Sequence, residues 1–322
     1  MWLMRQAGRY MAEYQAVRGT MSFLELCKSP TACRDVAMQP IDAFGLDIAI
    51  VFSDILLPAE AMGLDLVFSE TGPEIKNPVR TRAAVQALKD FDARVATPWP
   101  ALALELTKKS LGPDRPIIGF AGAPFTLACY MVEGHGSRNY ENTKRLMFGD
   151  PDTFRLLLDR ITDNLVGYLA TQIDAGADAL QIFDSWAGSL SSGDYTEFAH
   201  PYTSKLIAKL KARGLPVISY VNGAAHVLEI MATSGADVLS LDHAVDPADV
   251  RRRVGAKVAL QGNMDPTALL ASPEAAARET RKNLKSFGTA PGHIFNLGSG
   301  VLKWTDPAAV KACVDAVRAW RG

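Results

Sequence analysis

Residues 151–186, PDTFRLLLDRITDNLVGYLATQIDAGADALQIFDSW, read as one complete structural unit. Leu156, Leu157, Ile161, Leu165, Tyr168 and Leu169 recur at helical spacing across Pro151–Ala175. Asp174-Ala-Gly-Ala-Asp178 punctuates a turn, and Leu180–Phe183 is an apolar run of strand length. The run stops on Asp184-Ser185-Trp186, where polar and aromatic side chains follow a strand.

The same unit recurs along the chain. Short apolar runs occur at Trp2–Met4, Ile48–Phe52, Ile117–Phe120, Val217–Tyr220, Val238–Leu241, Val258–Gln261 and Ile294–Leu297, which with Leu180–Phe183 makes eight. Helical patterns at Tyr195–Arg213, Ala225–Ser234, Pro273–Ser286 and Pro307–Trp320 fall between or after them, and Ser234-Gly-Ala-Asp marks another turn. Strands alternating with helices predict a parallel sheet, and eight such units predict an α/β protein with a single (β/α)8 TIM barrel over residues 1–322. An open doubly wound sheet is the competing arrangement, but no GxGxxG stands at a strand-to-helix turn. Ala61–Arg80 breaks the pattern, and its Gly72-Pro73 predicts a small hairpin inserted after strand two.

Composition narrows the function. Apolar residues make up 48% of the 322 and charged residues 21%, enough for a large core and too apolar for disorder. A net charge of −1 carries no basic excess for nucleic acid, so an anionic ligand must be met by locally placed arginines. Cys27, Cys33, Cys129 and Cys313 form no CxxC pair and read as free thiols in a reducing compartment. No apolar run reaches the ~18 residues of a membrane span, and Arg5 and Arg9 interrupt the start in a way no signal peptide would. The expectation is a cytoplasmic protein.

Barrel enzymes build their sites where strands end. Strand one leads into Arg5-Gln6-Ala7-Gly8-Arg9, strand two into Ser53-Asp54, strand three into Ala121-Gly122-Ala123-Pro124 with Tyr130 beyond. Strand four leads into Asp184-Ser185-Trp186, and strand eight into Gly298-Ser299-Gly300. These ends offer no compact His/Cys group for zinc and no GxxxxGK[ST] phosphate loop. They offer two arginines on one short loop, whose planar forks suit carboxylates, with Gly8 expected to let that loop bend or approach a ligand closely. An aspartate facing a polyanion makes sense only where the ligand donates protons or develops positive charge. Each residue also has a structural reading: Arg5 and Arg9 as surface charges, Asp54 as a helix cap, Tyr130 as core, Ser185 and Ser299 as turn residues.

Several of these segments together resemble the uroporphyrinogen decarboxylase family, almost end to end. They are Trp2-Leu-Met-Arg-Gln-Ala-Gly-Arg-Tyr10, Phe52-Ser-Asp-Ile55, Gly119-Phe-Ala-Gly-Ala-Pro-Phe-Thr-Leu-Ala-Cys-Tyr-Met-Val-Glu-Gly134, Phe183-Asp-Ser-Trp-Ala-Gly188, Leu260-Gln-Gly-Asn-Met-Asp-Pro266 and Phe295-Asn-Leu-Gly298. The resemblance implies a homodimeric barrel that converts the four acetate arms of uroporphyrinogen to methyls, giving coproporphyrinogen, with no metal and no organic cofactor. It implies that Arg5 and Arg9 pair with substrate carboxylates, Arg5 nearest the reacting acetate. The backbone of Gln6, Ala7 and Gly8 would line the same edge. Asp54 would accept the pyrrole N–H groups, beside Tyr130 and Ser185.

The chain also departs from the family pattern. Gly298-Ser299-Gly300 stands where the family usually has Gly-His-Gly, and serine cannot titrate near neutrality. Gly134-His135-Gly136 stands where a glycine triplet is usual, so His135 is a candidate to replace the histidine missing at 299. His243 follows Leu-Asp where tryptophan is common, and the residues that normally precede strand one are absent. Two alternatives follow: a tetrapyrrole-binding paralogue without turnover, and a zinc-dependent relative of the corrinoid methyltransferases. The missing His/Cys cluster speaks against the second.

Overall fold

The computed structural model describes residues 1–69, 72–256 and 258–321; of the expected hairpin segment Ala61–Arg80, residues 70 and 71 lie outside it, as does residue 322 of the expected domain. Nine strands form. They are β1 (Ala49–Ile50), β2 (Leu66–Ser69), β3 (Gly72–Ile75), β4 (Ile117–Gly122), β5 (Ala179–Asp184), β6 (Val217–Val221), β7 (Val238–Ser240), β8 (Ala259–Met264) and β9 (His293–Leu297). Seven pair in parallel in the order β1-β4-β5-β6-β7-β8-β9, the order of a sheet curling round with a helical layer outside. The register runs from Ala49 opposite Ile117 through Leu180 opposite Val217 to Leu260 opposite His293. β4 and β6 are buried along their whole length, as strands covered on both faces must be. Among the described residues no helix is long and apolar enough to cross a membrane.

The expected first strand, Trp2–Met4, is not a strand. Its backbone does not form a ladder, because side chains take the hydrogen bonds a neighbouring strand would make. Leu3 N–H donates to Gln6 Oε1 at 3.1 Å and Met4 N–H to Asn296 Oδ1 at 2.7 Å. Single backbone bonds tie the segment to its flanks: Trp2 N–H to Phe295 O at 3.4 Å, Val301 N–H to Met4 O at 2.9 Å and Asp47 N–H to Met1 O at 3.3 Å. It still fills the gap between β9 and β1. Trp2 and Met4 point into an inner cluster with Ile118, Ile218, Tyr220 and Val238, while Leu3 points into the outer core. That alternation is what a barrel strand has, without its ladder. A polar layer crosses the same interior: Trp2 Nε1 donates to Gln261 Oε1 at 2.9 Å, and Gln261 Nε2 to Ser240 Oγ at 2.9 Å.

The helices match their sequence signals where caps are strong. Pro151–Asp174 starts on Asp150, whose carboxylate accepts the Thr153 N–H at 3.1 Å, and Pro307–Ala319 starts in the same way on Asp306. The expected single helix Tyr195–Arg213 is two, Ser192–Phe198 and His200–Lys211. Pro201 supplies no N–H to the preceding turn, so it starts a helix and ends the one before. The expected helix Ala225–Ser234 shrinks to a 3-10 turn at Ala224–His226 and one turn at Leu228–Met231. The hairpin forms as expected after the second apolar run, β2 and β3 pairing antiparallel. Phe68 on β2 packs edge-on against Phe23 at 4.8 Å, and Phe23 against Phe52 at 6.2 Å, which pins the hairpin beside the end of β1.

Candidate active site

Three strand ends and the N-terminal loop converge on one cavity of about 290 Å³. Arg5, Gln6, Ala7, Asp54, Tyr130 and Ser185 all line it, with Phe52, Phe120 and Phe183 as its apolar wall and Pro73 reaching in from the hairpin. Gly8, Arg9 and Ser299 do not line it.

The loop after Met4 is built by Gln6. This side chain is buried, its Oε1 accepting from Leu3 and its Nε2 donating to Ile48 O at 3.2 Å. Its own backbone N–H donates to Leu3 O and its carbonyl accepts the Tyr10 hydroxyl at 2.5 Å. Every polar group of Gln6 therefore has an internal partner, so it shapes the loop rather than offering hydrogen bonds to a ligand. The bend falls on Arg5, at φ 56° in the left-handed region, and not on Gly8 as the sequence suggested. A Cβ at Gly8 would make only an ordinary contact, 3.7 Å from Arg5 O. An L-residue in the left-handed region costs ~1–2 kcal/mol, which the surrounding hydrogen bonds must hold. The side chain of Arg5 is exposed to the cavity mouth. Arg9 is exposed on the same loop.

Asp54 stands in the turn between β1 and the helix Leu57–Ala61. Its Oδ1 accepts the Leu56 N–H at 2.8 Å, a turn bond ahead of the helix that occupies one oxygen; the helix itself starts on Leu56 without a side-chain cap, so Asp54 is not its cap. Among the described residues no donor meets the other. Burial pushes the carboxyl up to about 6, against the Leu56 N–H and the Arg5 charge, which both pull it down. This is an acid held near the threshold of ionisation with an open acceptor facing a cavity.

The opposite wall is aromatic. Tyr130, on the helix Pro124–Glu133, stacks on Trp186 with ring centres 3.8 Å apart, and Tyr140 also packs on Trp186, tilted, at 5.1 Å. Burial, and then the Asp54 charge, push the Tyr130 phenol up to about 12, so it is a neutral donor. Its hydroxyl has no protein partner among the described residues. Behind this wall lies Asp184, the last residue of β5, fully buried. Thr126 Oγ1 donates to its Oδ1 at 2.6 Å and accepts the Trp186 N–H at 3.2 Å, while among the described residues Oδ2 has no partner. Burial pushes this carboxyl up to about 7.

Sequence reasoning passed over Asp184, Trp186 and Tyr140 as site residues. Asp184 and Trp186 carried a signal, since they flank Ser185 at a strand end; Tyr140 carried none. Ser299 sits beside the site through its neighbour: Gly300 lies directly under the Arg5 side chain. Gly298 packs as tightly on the His243 backbone, with a built Cβ only 2.2 Å from His243 N. His135 lines a neighbouring cleft rather than the Arg5 cavity. Among the described residues no three His, Cys, Asp or Glu side chains are grouped to hold one metal ion.

Residues 1–320 match the family model described as uroporphyrinogen decarboxylase. The chain is 46% identical to the uroporphyrinogen decarboxylase of Trichlorobacter lovleyi, over 98% of this chain and 93% of that protein. It is 46% identical to that of Myxococcus xanthus, over 98% and 90%. Among solved structures, a methyltransferase from Methanosarcina mazei superposes with a TM-score of 0.80 over 94% of this chain and 89% of that one, at 19% identity. At that identity the likeness extends to the fold alone.

Proposed function

The chain belongs to the uroporphyrinogen decarboxylase family, and we propose that it removes the acetate arms of uroporphyrinogen as carbon dioxide, with Asp54 as the central electrostatic group and Arg5 as the grip on the reacting carboxylate. The observation that carries this reading is the placement of Arg5 and Asp54 on one cavity, Asp54 with one oxygen fixed and the other open.

Loss of carbon dioxide from an acetate on a neutral pyrrole would leave a carbanion with nothing to take its electrons. Protonation of a ring carbon first makes the pyrrole a cation. The carbon–carboxylate bond then breaks, its electron pair moves into the ring as an exocyclic double bond, and carbon dioxide departs. A second proton adds to the exocyclic carbon to give the methyl, and the first is lost from the ring. A carboxylate fixed beside the ring N–H groups stabilises the cation more than the neutral ground state, as catalysis requires. Asp54 accepts those N–H groups through its open oxygen. Arg5 neutralises the acetate that reacts, with Ala7 and Gly8 along the same edge and Arg9 on a carboxylate further out. Tyr130 and Ser185 contact the substrate beside Asp54. The donor of the ring proton is Arg5 or water, and a guanidinium releases its proton reluctantly. Ser299, in place of the family's histidine, contacts the substrate beyond the Arg5 end of the site.

We read residues 1–322 as one domain acting in the cytoplasm as a homodimer. The four cysteines, all free and buried, fit a reducing compartment. Anaerobic incubation with uroporphyrinogen in the presence of a chelator should yield coproporphyrinogen. Binding without product would favour a non-catalytic tetrapyrrole carrier, and loss of turnover on chelation would favour a metal-dependent relative.

A further inference from the structure

The cavity around Arg5 and Asp54 is about 290 Å³. Pockets for small organic ligands run roughly 300–1,000 Å³. A tetrapyrrole with an acetate and a propionate on every ring belongs at the top of that range, so most of it must lie outside this cavity. A second cleft of about 590 Å³ adjoins it, walled by β3 with the chain that follows and by the turn Glu133–Gly136. Pro73 lines both spaces, which places them side by side.

On the functional reading above, we propose that this cleft is a carboxylate subsite that takes the propionate arms of the rings not reacting at Asp54, with Lys76 as its principal cation. The walls are preorganised: Ile75 N–H donates to Gly134 O at 2.7 Å and Val79 N–H to Met131 O at 2.8 Å. Arg80 serves the wall rather than the ligand, since its Nε and Nη2 donate to Val132 O and Glu133 O at 2.9 and 3.0 Å. Glu133 lines the cleft but is buried, and both its oxygens are taken, by Thr143 N–H and Oγ1 at 2.8 and 2.9 Å and by Asn142 at 3.0 Å. His135 has Nδ1 against Gly136 O at 2.8 Å, leaving Nε2 for a ligand. Lys76 is the cation with the least commitment. It is exposed, and its ammonium pairs with the carboxylate of Glu74 two residues away. An exposed pair of this kind contributes little, so an incoming carboxylate exchanges for it easily.

The arrangement gives two neighbouring residues opposite effects. Lys76→Gln removes the cation, and Glu74→Gln removes the acid that competes for it. Steady-state kinetics with uroporphyrinogen should show KM raised about tenfold in Lys76→Gln, ~1.4 kcal/mol, with kcat falling less. KM should fall in Glu74→Gln, and Lys76→Arg should restore the original value. Each glutamine variant breaks the same surface pair, so damage to the fold would push both the same way. Melting curves on all three check that the fold is intact. An active wild type whose KM is unmoved in both variants, or moved in one direction by both, overturns the subsite alone. A wild type with no decarboxylation overturns the functional reading and this one with it.

Discussion

Gly300 lies so close beneath Arg5 that a Cβ built on it would stand 2.4 Å from Arg5 Cδ and 2.7 Å from Arg5 Cγ. The obstacle is the shaft of a long side chain, not backbone, so a methyl here displaces the arginine rather than the loop. Gly300→Ala should fold with nearly normal stability and lose the grip: kcat/KM down by about 10²-fold, ~2.7 kcal/mol. Gly298→Ala is the contrast, because its Cβ meets the backbone of His243 and should cost stability first. Thermal melts beside kinetics on both variants decide it. Equal stability losses in the two would show that Gly300 merely supports the fold.

Asp54 carries the electrostatic argument. Asp54→Asn keeps the acceptor for the Leu56 N–H and removes the charge. Turnover should fall by about 10²–10³ while KM changes by a few-fold. In the wild type, kcat/KM should fall as pH drops through about 6, where the carboxylate takes up its proton. The asparagine variant should lack that limb. Near-normal turnover in the variant, or an acid limb that persists in it, removes Asp54 from its role.

How far these roles were legible varies with the physics behind each. Seven of eight strands announced themselves because parallel strands need apolar residues on both faces, as Ile117–Phe120 and Val217–Tyr220 show. Trp2–Met4 showed the same pattern and packs as a strand, but its ladder is replaced by Gln6 and Asn296 side chains, which no periodicity reveals. Arg5, Asp54, Tyr130 and Ser185, which line one cavity, stood out in the sequence because strand ends and motif spacing mark them. Gly8 was given a bend that belongs to Arg5, since an arginine at positive φ has no sequence signature. Tyr140 reaches the aromatic wall only through the tertiary path of the loop that follows Glu133. Pro73 enters the cavity because Phe68 docks the hairpin on Phe23, a contact 45 residues apart in sequence.

Tyr130 presents a hydroxyl with no protein partner to the cavity, and its ring is held by Trp186. Tyr130→Phe keeps the stack and removes only the donor. The expected loss is about 1 kcal/mol in kcat/KM, roughly fivefold, with the melting temperature not lowered. A melting temperature that falls with activity would mean that the hydroxyl serves the fold.

Asp184 ties stability to pH. Its folded carboxyl is pushed up by burial to about 7 from an ordinary 3.8, so the neutral form is the one the fold favours. The contribution is fully present below about 4 and is lost as pH rises through about 7. Asp184→Asn keeps an acceptor for Thr126 and cannot ionise. It should be more stable than the wild type at pH 8, by on the order of 2 kcal/mol, and no more stable at pH 4. Denaturant unfolding at the two pH values tests this. A variant whose advantage is the same at both would show that ionisation of Asp184 is not the cause.

The loop that carries Arg5 is held in place by Gln6. Its side chain joins Leu3, in the segment that lacks a strand ladder, to Ile48, at the edge of β1. Gln6→Ala leaves the Leu3 N–H and the Ile48 carbonyl buried without partners, while the bonds through the residue's own backbone survive. Two such losses should cost roughly 2–4 kcal/mol. The damage should be local before it is global, because the segment between β9 and β1 is held by single hydrogen bonds and not by a strand ladder. Hydrogen exchange at Leu3 and Met4 should accelerate in the variant well below its melting temperature, and activity should fall over the same range. If those amides stay protected while activity is lost, Gln6 acts on the substrate directly, and its internal hydrogen bonds are not its contribution to the site.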